Sequence, residues 1–223
     1  MTRFYFSIFL FVVSSIQVPG QDAWDKSEFT IARVKYNGGG DWYNDRSCIR
    51  NMLRFLSQNT TLRTASEERY VELNDPGLYS YPFLFMTGHG KIEFSEAEAK
   101  ELRTYLVAGG FLYADDDYGM DESFREQIKK VFPEEDLVEL PFNFELFHNV
   151  FKFPNGIPKI HEHDGGPGKT FGVFHDDRLV ILYTFNTNIS DGWADPEVHN
   201  NTANIREKAL KFGTNIIVYA LSH

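Results

Sequence analysis

Three consecutive aspartates, Asp115, Asp116 and Asp117, and a histidine set between glycines, Gly88-His89-Gly90, are the groups in this chain best suited to chemistry. Adjacent carboxylates repel one another, so a metal ion, a basic side chain such as Arg33 or Lys91, or a helix N-terminus is expected beside them. Calcium or magnesium would suit an all-oxygen site. Side chains alternate in direction along an extended segment, so Asp115 and Asp117 are expected on one face and Asp116 on the other. One aspartate is expected to cap the helix that follows. His89, exposed at a strand end, is available as base, acid or ligand.

Other polar groups collect at the ends of expected strands. Gly38-Gly39-Gly40 is followed by Asp41, Trp42 and Tyr43. The glycines let the backbone approach a ligand or cradle an anion, and a plain turn accounts for them equally well. Their spacing is neither a dinucleotide fingerprint nor a Walker loop. Asn186, Asp191 and Trp193 follow the strand that ends at Phe185. Trp193 would stack on a sugar, wall a pocket or pin its loop to the core. His161-Glu162-His163-Asp164 offers two histidines on one side of an extended segment, a workable metal pair. Without a placed third ligand it reads as a solvated loop. His148 and His175 read as structural or surface groups. There is no G-x-S-x-G, and the single cysteine, Cys48, reads as a small buried hydrophobe. The candidate catalytic residues are thus His89, Asp115 and Asp116. The candidate ligand-binding residues are Gly39, Gly40, Asp41, Trp42, Tyr43, Gly88, Asp117, Asn186, Asp191 and Trp193.

The elements that must position these groups alternate. Strands are expected over 29–36, 70–73, 83–86, 111–114, 137–140 and 179–185. Helices are expected over 48–57, from Ser95 to the Gly109-Gly110 stop, over 122–132 and over 204–221. Ser95 and Glu98 have the spacing of a capping box, with Ala97, Leu102, Tyr105 and Leu106 as the buried stripe. Residues 143–151 are expected to hold one helical turn, 152–176 loops and short strands, and 186–201 a long polar loop. The apolar run at 83–86 suits a strand buried on both faces. The pattern gives an α/β fold, a mostly parallel sheet in a three-layer sandwich, with ligands bound beyond the carboxyl ends of the strands.

The 223 residues are 42% hydrophobic and 24% charged, enough for one domain with a full core. Arg3 followed by an apolar stretch and Val18-Pro19-Gly20 has the form of a signal peptide over residues 1–20, cleaved near Gly20. Residues 21–223 then form a single domain, exported to the periplasm or beyond. Cleavage removes Arg3, which leaves 21 Lys+Arg against 32 Asp+Glu, a net charge of −11. That balance argues against nucleic acid and anionic lipid as partners. No later segment is long and apolar enough to span a membrane. One cysteine excludes an intramolecular disulfide.

Residues 33–44 (RVKYNGGGDWYN), 81–117 and 215–221 (NIIVYAL) resemble the bacterial domain-of-unknown-function family 4159. The resemblance runs from about Phe29 to the end of the chain. It implies a flavodoxin-like fold of the class I glutamine-amidotransferase-like superfamily, related to the trehalose-utilisation-like group. Glutamine amidotransferases carry a catalytic cysteine on a sharp turn after a strand. The comparable strand end here carries Asp115 to Asp117, so glutaminase chemistry is not expected. Three functions compete: binding of a small polar ligand or glycan at the strand ends, scaffolding with a cell-envelope protein partner, and metal-assisted hydrolysis of carbohydrate using Asp115 or Asp116 with His89. No organic cofactor is called for.

Overall fold

Alternating apolar residues build a sheet covered on both faces. In β3, Phe83–His89, Phe83 and Phe85 face one side, and Leu84 and Met86 face the other. In β4, Phe111–Tyr118, Phe111 and Tyr113 join the first set, and Leu112 and Ala114 the second. The two sets are separate cores, which makes three layers. The chain is described from a computed structural model over residues 28–223, so the expected signal peptide lies outside the described residues.

The remaining strands are β1 (Ala32–Val34), β2 (Arg69–Val71), β5 (Val138–Glu139), β6 (Lys169–His175) and β7 (Arg178–Phe185). The sheet order is β2-β1-β3-β4-β7-β6-β5. The first five in that order run parallel, and β6 and β5 are antiparallel additions at one edge.

The first core lies under α1 (Cys48–Asn59) and the closing helix, Ala203–Ser222. Ile49, Met52, Leu53 and Leu56 are all buried, as their spacing predicts. The second core lies under α2 (Glu96–Val107) and α3 (Asp121–Val131). The capping box of α2 forms in full: Glu98 N donates to Ser95 Oγ, and Ser95 N donates to Glu98 Oε2. Its buried stripe runs through Glu98, Ala99, Leu102, Tyr105 and Leu106, and Ala97 is exposed instead. Ala97 is one residue out of phase with the face that Leu102 and Leu106 fix.

Two expectations change. The strand expected to stop at Ala114 continues to Tyr118, so all three aspartates lie within it. The stretch expected as a long polar loop after Phe185 is largely buried, and holds a short 3-10 turn (Ile189–Gly192) and α4 (Pro196–His199). The closing helix is therefore α5. Among the described residues, no helix is long and apolar enough to cross a membrane.

Candidate metal centre

Strand alternation divides the three aspartates. Asp116 faces the α2–α3 side, where its Oδ1 accepts from Met120 N at 3.0 Å, just ahead of α3. It ties down the residue that precedes α3 without capping the helix, whose N-cap, Met120, makes no side-chain cap bond, and burial pushes the Asp116 carboxyl up to about 7. Asp115 and Asp117 face the α1–α5 side. Asp115 is fully buried and accepts from Thr184 Oγ1, Ser190 N at 2.6 Å and Ser190 Oγ at 2.7 Å. Burial raises it to about 6 against the pull of those donors. Its oxygens anchor the 3-10 turn to the sheet, and neither it nor Asp116 is open to a substrate.

Asp117 is the member of the run that meets other chemistry. Asn44 Nδ2 donates to its Oδ2, and Asn188 Nδ2 donates to its Oδ1 at 2.6 Å. His89 Nδ1 lies 3.3 Å from Asp117 Oδ2 and 3.1 Å from Asp41 Oδ2. Around Asp117 the fold gathers Asp45, Asp191, His161 and His199 from three distant loops. His161 Nδ1 lies 2.8 Å from Asp191 Oδ2. His199 lies between two carboxylates, with Nε2 2.7 Å from Asp45 Oδ1 and Nδ1 3.6 Å from Asp191 Oδ2. His163 lies against Tyr118, ring centroids 4.7 Å apart, and reaches Asn188.

Each loop is held by local chemistry. Arg33, 1% exposed, points along the sheet and bonds Glu68, the carbonyls of Trp42, Asn44 and Asp45, and Cys48 Sγ. That fixes the turn carrying Asn44 and Asp45. Asn186 and Asn188 adopt left-handed backbone, with φ of 56° and 51°, which asparagine tolerates. The Asn186 side chain donates to the carbonyls of Gly165 and Pro167, and His161 N donates to Thr187 O. The histidine loop is thereby tied to the end of β7. Pro196 opens α4, and Asp195 accepts from Asn51 of α1, which brings His199 over Asp45.

Three mostly buried carboxylates, Asp45, Asp117 and Asp191, offer oxygens all within 4.8 Å of one another. His161, Asp191 and His199 meet the same test. Burial, then Asp117 and Asp45, push the Asp191 carboxyl well above the carboxylate range. Asp117 is also raised by burial, with His89 opposing. Burial, then the neighbouring imidazoles of His163 and His199, lower His161, whereas the bond to Asp45 raises His199. Asn44 Oδ1, Asp45 Oδ2, Asn188 Oδ1 and Asp191 Oδ1 are buried acceptors without a donor, four of the six such side-chain atoms among the described residues. Oxygens left unpaired beside repelling carboxylates and imidazoles are the kind of donors that a divalent cation takes, which makes this cluster the candidate metal centre.

The other expected ligand residues scatter. Trp193 is fully buried against Phe85 and Tyr113, with Nε1 donating to Ala209 O, so it pins its loop to the core and offers no face to a sugar. Gly40 N donates to Lys91 O and Asp41 N to His89 O, which leaves neither amide for an anion. Gly88 is closed over by the Tyr36 hydroxyl, with which any side chain there would collide. The half-buried Trp42 packs edge-on to Tyr43 and Tyr70. Gly39 and Tyr43 are open to solvent.

Asn44, Asp45, Asn188 and His199 are absent from the residues picked out by sequence. His161 and His163 carried a signal in their spacing, but of the two it is His161 that joins the grouping with His199 and Asp191, the latter thirty residues on, while His163 lies against Tyr118. His199 and Asp45 are 154 residues apart and left no local trace.

Cys48 is fully buried against Arg33, and burial pushes its thiol from the ordinary 9.0 up to about 12. It is neutral at any physiological pH and lacks the base a nucleophile needs. The unfolded chain ionises first as pH rises, so the thiol's contribution to stability is complete below pH 9 and lost towards pH 12. Between those limits, wild-type stability should fall relative to Cys48→Ala by about 1.4 kcal/mol per pH unit. Urea melts at pH 8, 9.5 and 10.5 measure this, and parallel curves would mean an ordinary thiol.

The profile of the family described as Domain of unknown function (DUF4159) matches residues 30–221. No curated protein matches the chain.

Proposed function

We propose that this chain, which belongs to the DUF4159 family, is a metal-dependent hydrolase whose ion is held by Asp45, Asp117, Asp191, His161 and His199. The observation that carries the reading is the set of four unpartnered buried oxygens among mutually repelling carboxylates. The ion would supply Lewis acidity at a carbonyl or phosphoryl oxygen. His89 is suited to proton transfer: Asp41 and Asp117 orient its Nδ1, the side chain is half exposed, and Nε2 makes no bond among the described residues. It would take a proton from the attacking water and return it to the leaving group.

Tyr43 and Tyr118 are about half exposed, and each adjoins a residue of the cluster, Asn44 and Asp117. Exposed rings beside a polar site suit a sugar face, which supports an ester or amide on a carbohydrate as the substrate. Arg3, the apolar stretch after it and Val18-Pro19-Gly20 support export. A flavodoxin-like, amidotransferase-like ancestry agrees with the parallel sheet, with Asp115 to Asp117 standing where a nucleophile would be.

The test is turnover of acetylated oligosaccharides by protein stripped with chelator and reloaded with Zn²⁺ or Mn²⁺. Activity should return only with metal. His89→Ala should cost on the order of 10²–10⁴-fold in kcat while the metal content is retained. Protein that takes up no metal, or turnover indifferent to His89→Ala, would overturn the assignment.

A further inference from the structure

Resting on that metal reading, we infer that the centre holds two divalent ions bridged by Asp191. Two ligand sets meet at this residue. His161 and His199 supply nitrogens on one side, and Asp45 and Asp117 supply oxygens on the other, each set with Asp191 inside a 4.8 Å span. Asp191 is 1% exposed. Its Oδ2 faces the imidazoles, 2.8 Å from His161 Nδ1 and 3.6 Å from His199 Nδ1. Its Oδ1 is buried and has no partner. A buried carboxylate that belongs to both ligand sets and keeps one oxygen unpartnered is placed as a bridge.

Charge decides between one ion and two. Once metal displaces the protons they share, Asp45, Asp117 and Asp191 bring three negative charges, with side chains 5%, 2% and 1% exposed. Asp115 adds a fourth, and its Oδ2 is bonded to Ser190, next in the chain to Asp191. The bonds to these carboxylates come from asparagine, histidine, serine and threonine groups. Arg33, the buried cation nearby, is committed to Glu68, to backbone carbonyls and to Cys48. One divalent ion leaves this pocket strongly negative and would repel an anionic or developing oxyanion substrate. Two ions balance the four carboxylates.

The donors also differ in kind. The histidine side, with two nitrogens and one carboxylate, favours a transition metal such as Zn²⁺. The aspartate side, supplemented by the unpartnered Asn44 and Asn188 oxygens, favours a harder ion such as Mn²⁺ or Mg²⁺. A paired centre of this kind clamps the attacking and the leaving oxygen of one displacement. The grouping of Glu134, Glu135 and His175 elsewhere lacks these features: Glu134 is solvent-facing and already paired with Arg103.

The experiment is a titration of metal-free, full-length mature chain with Mn²⁺, followed by calorimetry and electron paramagnetic resonance. Two equivalents per chain and an exchange-coupled spectrum are expected. His199→Ala should retain one equivalent with an uncoupled spectrum, and Asp45→Asn should likewise lose one of the two. A single equivalent in the wild-type chain would overturn the bridged centre and leave the hydrolase reading standing. No uptake at all would overturn both. Because the wild-type stoichiometry decides, a variant that fails to fold does not rescue the inference.

Discussion

Asp191→Asn is expected to make the metal-free protein more stable and, at the same time, unable to hold its metal. The three carboxylates of the cluster have oxygens within 4.8 Å of one another and are largely shielded from water. At an effective dielectric near 20, two unit charges at that separation repel by roughly 3 kcal/mol. Protons shared among the group relieve part of this in the metal-free state, so the net gain on removing one charge is about 1–2 kcal/mol. For a chain of this size that is a rise in Tm of about 2–8 °C. Asparagine keeps an oxygen for His161 Nδ1 and Asn188 Nδ2, so the local bonds survive. Metal binding should nevertheless weaken by about two orders of magnitude or more, above the range seen when even an outer partner of a ligand is removed. Wild-type protein at a hundredfold excess of metal over Kd gains about 2.7 kcal/mol, and the variant should gain almost none. Thermal melts with and without Mn²⁺ read both effects. A variant that melts lower than wild type without metal, and whose metal-induced shift is intact, would make Asp191 a structural residue.

Arg33→Met is expected to be the most damaging single change outside the centre. Arg33 is buried beneath the Phe85 ring, pairs with Glu68 at 2.7 Å, and satisfies three carbonyls of the turn that presents Asn44 and Asp45. Removing one partner of a buried pair leaves the other charged and unpaired, which costs about 3–5 kcal/mol. Methionine fills much of the volume, so the loss reports electrostatics and unsatisfied carbonyls more than a cavity. Arg33→Met/Glu68→Gln should recover part of the loss and not all of it, since the carbonyls remain without a donor. The freed turn should also weaken metal binding, although Arg33 is no ligand. Denaturant melts of the single and double variants, with metal titrations of each, test this. A single variant within about 1 kcal/mol of wild type would mean that water replaces the guanidinium without loss.

Much of the fold was legible because it rests on near-neighbour periodicity. The apolar runs at Phe83 and Phe111, the Ser95–Glu98 cap and the stripe from Ile49 to Leu56 each follow from residues within two turns or one strand of each other. The two-sided burial of β3 and β4, with helices on both faces, follows from those patterns. The alternation that parts Asp116 from Asp115 and Asp117 was legible for the same reason. What failed was the reading of where elements stop. The aspartates look like a polar strand end, and the strand continues through them because Thr184 and Ser190 donate to Asp115, and Asn188 to Asp117, from other parts of the chain.

The sequence by itself determined the alternating α/β pattern, the absence of a usable cysteine nucleophile, and the presence of polar groups at the strand ends. These depend on residue type and on spacings of two to four, which act locally. Tertiary structure alone decided which polar groups meet. It buried Asp115 and Trp193 as anchors and brought Asp45, Asp117, Asp191, His161 and His199 together across separations of up to 154 residues. The physical reason is that a metal-ligand set needs only proximity in space. Chain connectivity enforces proximity between near neighbours, and between distant residues packing enforces it: here, Arg33 under one loop, Asn186 under another and Asp195 under the third.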